Sequence, residues 1–316
     1  MNELLTSIVA EDRIHRIDHF LGFSTIINIL GVRFANRIFE PVLNAEHVER
    51  VRITFDESLG LEGRAGYYDG AGALVDMIQS HLLQVLALVA MEAPSSLDAA
   101  DLRDARALVL RATHIWDDDP VRFSRRARYS AGTVEGREVP AYADEQGVDP
   151  AGATETFAEV VVAVDSWRWA GVPFHLRSGK AIAAPRTEVL IEFKDPPHLP
   201  AGFARYAGPD RLCIDIAPGS GRLRLEINVN GPGEPSDLER VTLDADVAAG
   251  ALHEYGETLR RILNGDPAYS IRGDTVVECW KIVDPVRDAW RRDVVALTEY
   301  PAGGAGPEEA WVGGAA

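Results

Sequence analysis

The chain has 316 residues, 46% of them hydrophobic and 26% charged, and a formal net charge of −17. This is the make-up of a folded globular chain with one large core or two modest ones. Its negative field works against nucleic-acid phosphates and anionic membrane surfaces, so no partner of either kind is expected.

Residues 2–9 place Leu4, Leu5, Ile8 and Val9 on one face of a short helix that Asn2 can cap, while Glu3, Glu11 and Asp12 interrupt any apolar leader. "RIHRIDHFLGFS", Arg13 to Ser24, then sets Asp18 beside His19. Adjacent side chains diverge, so these two cannot pair with each other. "TIINILGVRFANRIFEPV" carries helical spacing through Ile26, Ile29, Leu30, Phe34 and Ile38, and Pro41 stops it. "VERVRITFDE" alternates as a strand around Val51, Ile53 and Phe55.

"GLEGRAG", Gly60 to Gly66, spaces its glycines as GxxGxxG after that strand. A dinucleotide cradle needs a helix to open there at once and a second βα unit to follow. "YYDGAGA" is read instead as more loop, and the stretch as a mobile surface segment. "GALVDMIQSHLLQVLALVAMEAP" is the strongest helix, closed by Pro94. Its most apolar part, Met77 to Met91, is too short to span a bilayer and is expected to be buried. Within it His81 must find a partner: a backbone carbonyl, as a core histidine, or a carboxylate, as a general base. Asp18 or Asp76 can supply that carboxylate, although Asp76 lies about one and a half α-helical turns away.

"LDAADLRDARALVLRAT" adds a helix with acidic residues at its start. From Arg128 the chain reads as strands. "VPFHLRSGKA" ends one of them in a turn that aims Lys180 either at a phosphate or at solvent. Gly219-Ser220-Gly221 fits a hairpin between "RLCIDIAP" and "RLRLEINVNG". Helices are expected over Val247–Leu263 and Asp274–Arg287, with a loose tail after Pro301. Cys213 and Cys279 lie far apart without ligand spacing, which suits a reducing cytoplasm and excludes a disulfide scaffold. The whole predicts an α+β fold: a large, mostly antiparallel sheet with helices on one face.

No single fragment above is specific. Together, "RIDHFLG", "RFANRIFEP", "EGRAGYYD", "SHLLQVLALVAME" and "GVPFHLRSGKA" resemble, in order and separation, the carboxy-terminal part of glucose-6-phosphate dehydrogenases, from about Ile8 to Asp288. The resemblance implies oxidation of glucose 6-phosphate at C1 with NADP, in the pentose phosphate pathway. It implies His81 as the base, Asp18 as its orienting carboxylate, and His19, Glu57, Asp76 and Lys180 as substrate-binding residues, with no metal. It also implies assembly through the sheet, with itself or with a full-length relative.

Three departures from the family are notable. The nucleotide-binding domain is expected to be missing, so residues 1–25 read as a remnant of the inter-domain segment, 26–300 as the body and 301–316 as a flexible tail. Phe23 stands where the family has a substrate-contacting lysine. Ala217 stands where some members have a polar contact. The isolated chain is therefore expected to be inactive or weak, or else to serve as a non-catalytic sugar-phosphate-binding or assembly partner.

Overall fold

The computed structural model describes residues 2–203, 206–219, 221–234, 236–248, 250 and 254–307. Helix α1 (Asn2–Ile8) leads to the turn around Asp18 and then to α2 (Ser24–Phe34). Strand β1 (Val48–Asp56) precedes a helical run made of α3 (Ala65–Ala73), a π-helical segment (Leu74–Leu82) and α4 (Leu83–Ala90). After α5 (Ala99–Arg111) come β2 (Thr113–Ile115), β3 (Ser124–Ser130), β4 (Gly132–Val134) and β5 (Arg137–Val139). The long strands are β6 (Phe157–Val164), β7 (Phe174–Gly179), β8 (Thr187–Phe193), β9 (Arg211–Asp215), β10 (Gly221–Asn230) and β11 (Leu238–Val247). Helices α6 (Glu254–Leu263) and α7 (Gly273–Arg291) and strand β12 (Leu297–Pro301) follow.

Ten strands form one sheet in the order β11-β10-β9-β8-β1-β7-β6-β3-β12, with β2 paired to β6. Only β1–β7 and β3–β12 run parallel among these pairs. Strand alternation divides the sheet's residues between two faces. Val51, Ile53, Leu176, Val189 and Ile191 join the main core, where Ile26, Ile29, Ile78, Leu82 and Val283 meet them from the helices. Burying each such side chain contributes about 1.5–3 kcal/mol. The α+β architecture expected from the sequence is the one found. A second core lies at the β3–β12 end, around Tyr68, Tyr129, Tyr142, Phe157 and Tyr300.

Several expectations need correction. The Gly60–Gly66 stretch is anchored: Leu61 is buried and its amide donates to the Tyr129 hydroxyl at 3.0 Å. "YYDGAGA" is helical, because α3 opens at Ala65. The helical run Ala65–Ala90 therefore reaches 26 residues, long and apolar enough to cross a membrane, yet 78% of its most apolar window is buried inside the protein. Residues 238–247 form β11, and the later helix starts at Glu254, not Val247. The turn between β9 and β10 includes Ser220, which lies outside the described residues, but the two strands do pair. Of the segment 301–316, residues 308–316 lie outside the described residues. Ala302 is buried, Gly303 donates to the Ala181 carbonyl at 2.8 Å, and Gly304 bridges Ile182, so this part is docked.

Candidate active site

Asp18 has extended backbone angles and caps the short turn His19–Gly22, its Oδ1 accepting from the Phe20 amide at 2.9 Å. The same oxygen lies 2.6 Å from Nδ1 of His81, on the π segment. Asp18 is 4% exposed. Phe20, the next residue but one, lies face to face with the His81 ring, centroids 4.1 Å apart and planes 7° apart. One turn thus holds the imidazole at its edge and on its face. A neutral ring bonded to a carboxylate through Nδ1 carries its proton there and leaves Nε2 as an acceptor. This is the arrangement of a braced base. Of the two carboxylates open to His81 from the sequence, Asp18 is the bonded one.

The π winding bears on Asp76. In an α-helix, residues five apart point about 140° away from each other. An i→i+5 ladder brings them toward one side of the axis, and the Ser80 hydroxyl, which donates to the Val75 carbonyl at 2.9 Å, follows the same five-residue spacing.

Glu57 and Lys180 extend the parallel pair β1–β7. The register Asp56↔Gly179 brings them side by side, and the Glu57 amide donates to the Gly179 carbonyl at 2.8 Å. Lys180 Nζ lies 2.5 Å from Glu57 Oε2 and 5.2 Å from the Tyr68 ring centre, with the lysine 2% exposed. The lysine thus reaches neither solvent nor open space but a carboxylate. Partial burial, then the nearby Asp76 carboxylate, raise the Tyr67 phenol above its ordinary range. Phe55 of β1 packs 4.7 Å from Phe20 and ties this group to the His81 group.

His19 stands edge-on to His81 at 4.8 Å and parallel to Tyr255 of α6 at 5.6 Å. Tyr255 and Tyr67 escaped the sequence reading, because no local pattern marks a tyrosine that meets a residue on a distant element. Phe23 is 5% exposed and packs 4.9 Å from Phe20, so its ring belongs to the floor under the site. The Ala217 carbonyl accepts from the Thr25 hydroxyl at 2.8 Å.

Ligand atoms of Asp18, His19 and His81 lie within 4.8 Å of one another, a spacing that can hold a metal ion; so do those of Glu188, Cys213 and Asp215. In the first group Asp18 and His81 already spend atoms on each other, and in the second the Arg224 guanidinium bonds both Glu188 and Cys213. A dinucleotide fits poorly at the start of α3. The start of α3, the one helix that opens from the glycine-rich loop, is covered: Ala65 is buried, and a Cβ on Gly147 would sit 3.2 Å from the Ala65 Cβ.

The model of the family described as "Glucose-6-phosphate dehydrogenase, C-terminal domain" matches residues 30–312. The chain belongs to the glucose-6-phosphate dehydrogenase family. Among curated relatives, the glucose-6-phosphate 1-dehydrogenase of Treponema pallidum is 39% identical over 320 residues, spanning 98% of this chain and 62% of that protein. That of Gluconobacter oxydans is 40% identical over 316 residues, spanning 98% of this chain and 64% of that protein. A crystal structure of the Mycobacterium avium enzyme is 34% identical, with a TM-score of 0.83 over 97% of this chain and 63% of that one. A glucose-6-phosphate dehydrogenase solved in complex with its substrate glucose-6-phosphate is 31% identical, with a TM-score of 0.84 and the same coverage. The chain spans under two thirds of the length of these glucose-6-phosphate dehydrogenases.

Proposed function

We propose that this chain is the sugar-phosphate half of a cytoplasmic glucose-6-phosphate dehydrogenase of the pentose phosphate pathway, with a body of residues 26–300 between a lead-in of 1–25 and a tail of 301–316. The observation that carries the reading is the 2.6 Å bond between His81 and a buried Asp18 under the Phe20 ring. In this reading His81 Nε2 takes the proton of the C1 hydroxyl, and the Asp18 carboxylate balances the charge that then appears on the imidazole. Glu57 and Asp76 accept hydrogen bonds from sugar hydroxyls and fix the ring, while His19 and Lys180 contact the phosphate-bearing sugar. NADP is the coenzyme that the family implies. No step above passes through it.

Acting by itself, the 316-residue chain is expected to bind glucose 6-phosphate without reducing NADP. Calorimetric titration, run beside an NADP reduction assay with a His81→Ala control, checks both halves. Turnover that depends on His81 overturns the inactivity, and absence of binding overturns the sugar-phosphate reading. Phe23→Lys is expected to tighten glucose 6-phosphate binding at least about tenfold, since a charge-assisted hydrogen bond contributes roughly 1.5–3 kcal/mol. The same change should lower the melting temperature, because a buried ring is lost from the floor.

A second reading is favoured by the sheet face away from the helices. Its Arg50–Glu192–Arg211 and Arg224–Glu188 ion pairs are only partly buried, which suits pairing with another copy or with a full-length relative. Sedimentation of the purified chain, alone and mixed with such a relative, distinguishes this assembly role from a monomeric one.

A further inference from the structure

The segment that carries Asp76 and His81 begins at a break. Gly72 leaves helical space altogether, with φ 67° and ψ 174°. The winding therefore restarts, and its first amides have no partner inside the helix. Glu155, just before β6, meets two of them. Its backbone carbonyl accepts from the Ala73 amide at 3.1 Å, and its carboxylate Oε1 accepts from the Leu74 amide at 2.9 Å. The fit is tight, because a Cβ built on Gly72 would lie 2.3 Å from that same Oε1. Glycine is required at position 72 twice over, for its backbone angle and for the space the carboxylate fills.

Glu155 takes no part in the proton and sugar contacts described above, and keeping a carboxylate there is costly. It is 7% exposed, and burial pushes its carboxyl up to about 7, against the opposing pull of the Leu74 amide and of Arg126. Arg126 is itself committed to Asp293, at 2.8 Å. Such a group is retained where it satisfies something specific. Here it satisfies the first free amide of a winding that is seldom adopted for more than a turn. A π ladder has α-helical neighbours ready to replace it, so its phase depends on what holds its end. A slip of one residue turns every side chain on it by about 100° or slightly less, enough to carry His81 away from Asp18.

We propose that Glu155 is a positioning residue that fixes the start and phase of Leu74–Leu82, and through them the placing of Asp76 and His81. Its functional meaning rests on the reading of the site given under the proposed function; the cap itself does not. Hydrogen exchange resolved to residues 74–82, together with calorimetry using glucose 6-phosphate, tests it on the 316-residue chain. Glu155→Ala is expected to lower protection in 74–82 at least about fivefold, the scale of a lost helix cap, with α4 and β7 little changed. Sugar-phosphate binding should weaken by a similar factor. Glu155→Gln, whose amide oxygen can accept from the same Leu74 amide, should restore both.

Protection lost evenly over the whole protein, protection in 74–82 unchanged in Glu155→Ala, or a glutamine variant as damaged as the alanine one would each overturn the proposal. Should the alanine variant not fold, Glu155→Asp takes its place. It keeps the charge but withdraws the oxygen from Leu74, so wild-type protection in that variant is equally contrary. If the unaltered chain binds no glucose 6-phosphate, the functional reading falls, and the exchange measurement still decides for or against the cap.

Discussion

Replacing His81 with alanine is expected to cut turnover about 10²–10⁴-fold, the usual worth of a general base, once this chain is joined behind the coenzyme-binding portion of a full-length relative. Affinity for glucose 6-phosphate should change far less. The reason is geometric. His81 Nδ1 is already bonded to Asp18 at 2.6 Å and its face is covered by Phe20 at 4.1 Å, so only the opposite nitrogen is left to act. Asp18→Asn makes the sharper test. An amide oxygen can still accept from the Phe20 amide and keep the turn, but the negative charge that balances a protonated imidazole is gone. Turnover in Asp18→Asn should therefore fall nearly as far as in His81→Ala, with KM for the sugar phosphate almost unchanged. Should His81→Ala act mainly through KM, the histidine is a binding group and the base lies elsewhere.

The second large effect concerns stability. Arg177→Met should destabilise the fold by about 3–5 kcal/mol in urea denaturation, the cost of leaving a buried charge without its partner. The Arg177 Nη2 lies 3.1 Å from Asp56 Oδ2, with the two side chains 8% and 0% exposed. The same nitrogen donates to the Ala305 carbonyl at 2.9 Å, and the guanidinium lies 5.0 Å from the Phe157 ring centre. Burial above all raises the Asp56 carboxyl above its ordinary value, even though Arg177 pulls it down. Without Arg177 only the smaller pull of Arg186 opposes that rise. Adding Asp56→Asn to Arg177→Met removes the stranded charge and should recover a good part of the loss. A loss below about 1 kcal/mol, the scale of an exposed ion pair, would show that this pair is better solvated than its burial says.

The parts of this molecule legible in its sequence are those set by local periodicity. Ile26, Ile29 and Leu30 marked α2, and Val51, Ile53 and Phe55 marked β1, because one buried face imposes one spacing. Strand β11 also alternates, at Val241, Leu243, Ala245 and Val247, yet Leu243 is 54% exposed. With so weakly buried a face, the acidic residues between obscured the pattern. The docking of residues 301–307 could not be read, since a glycine-rich stretch looks the same whether loose or bound. In the candidate site, His81 and Asp18 could be named, but not their distance, because 63 residues separate them. Glu155 was invisible for the same reason: its partner, the Leu74 amide, has no identity in the sequence at all.

Two contacts between remote parts of the sequence carry a last consequence. Arg16, two residues before Asp18, bridges to Ile271, and the hydroxyl of Tyr300 reaches the Lys180 carbonyl at 2.7 Å. The Asp18 turn must wait for Ile271, 255 residues beyond Arg16, before its flank is closed. Contacts so remote in sequence fold slowly, and the parallel strand β12, which pairs with β3, follows every other described strand. A chain cut off even a few residues before Tyr300 should therefore fail to close this edge and be cleared, not merely be less active.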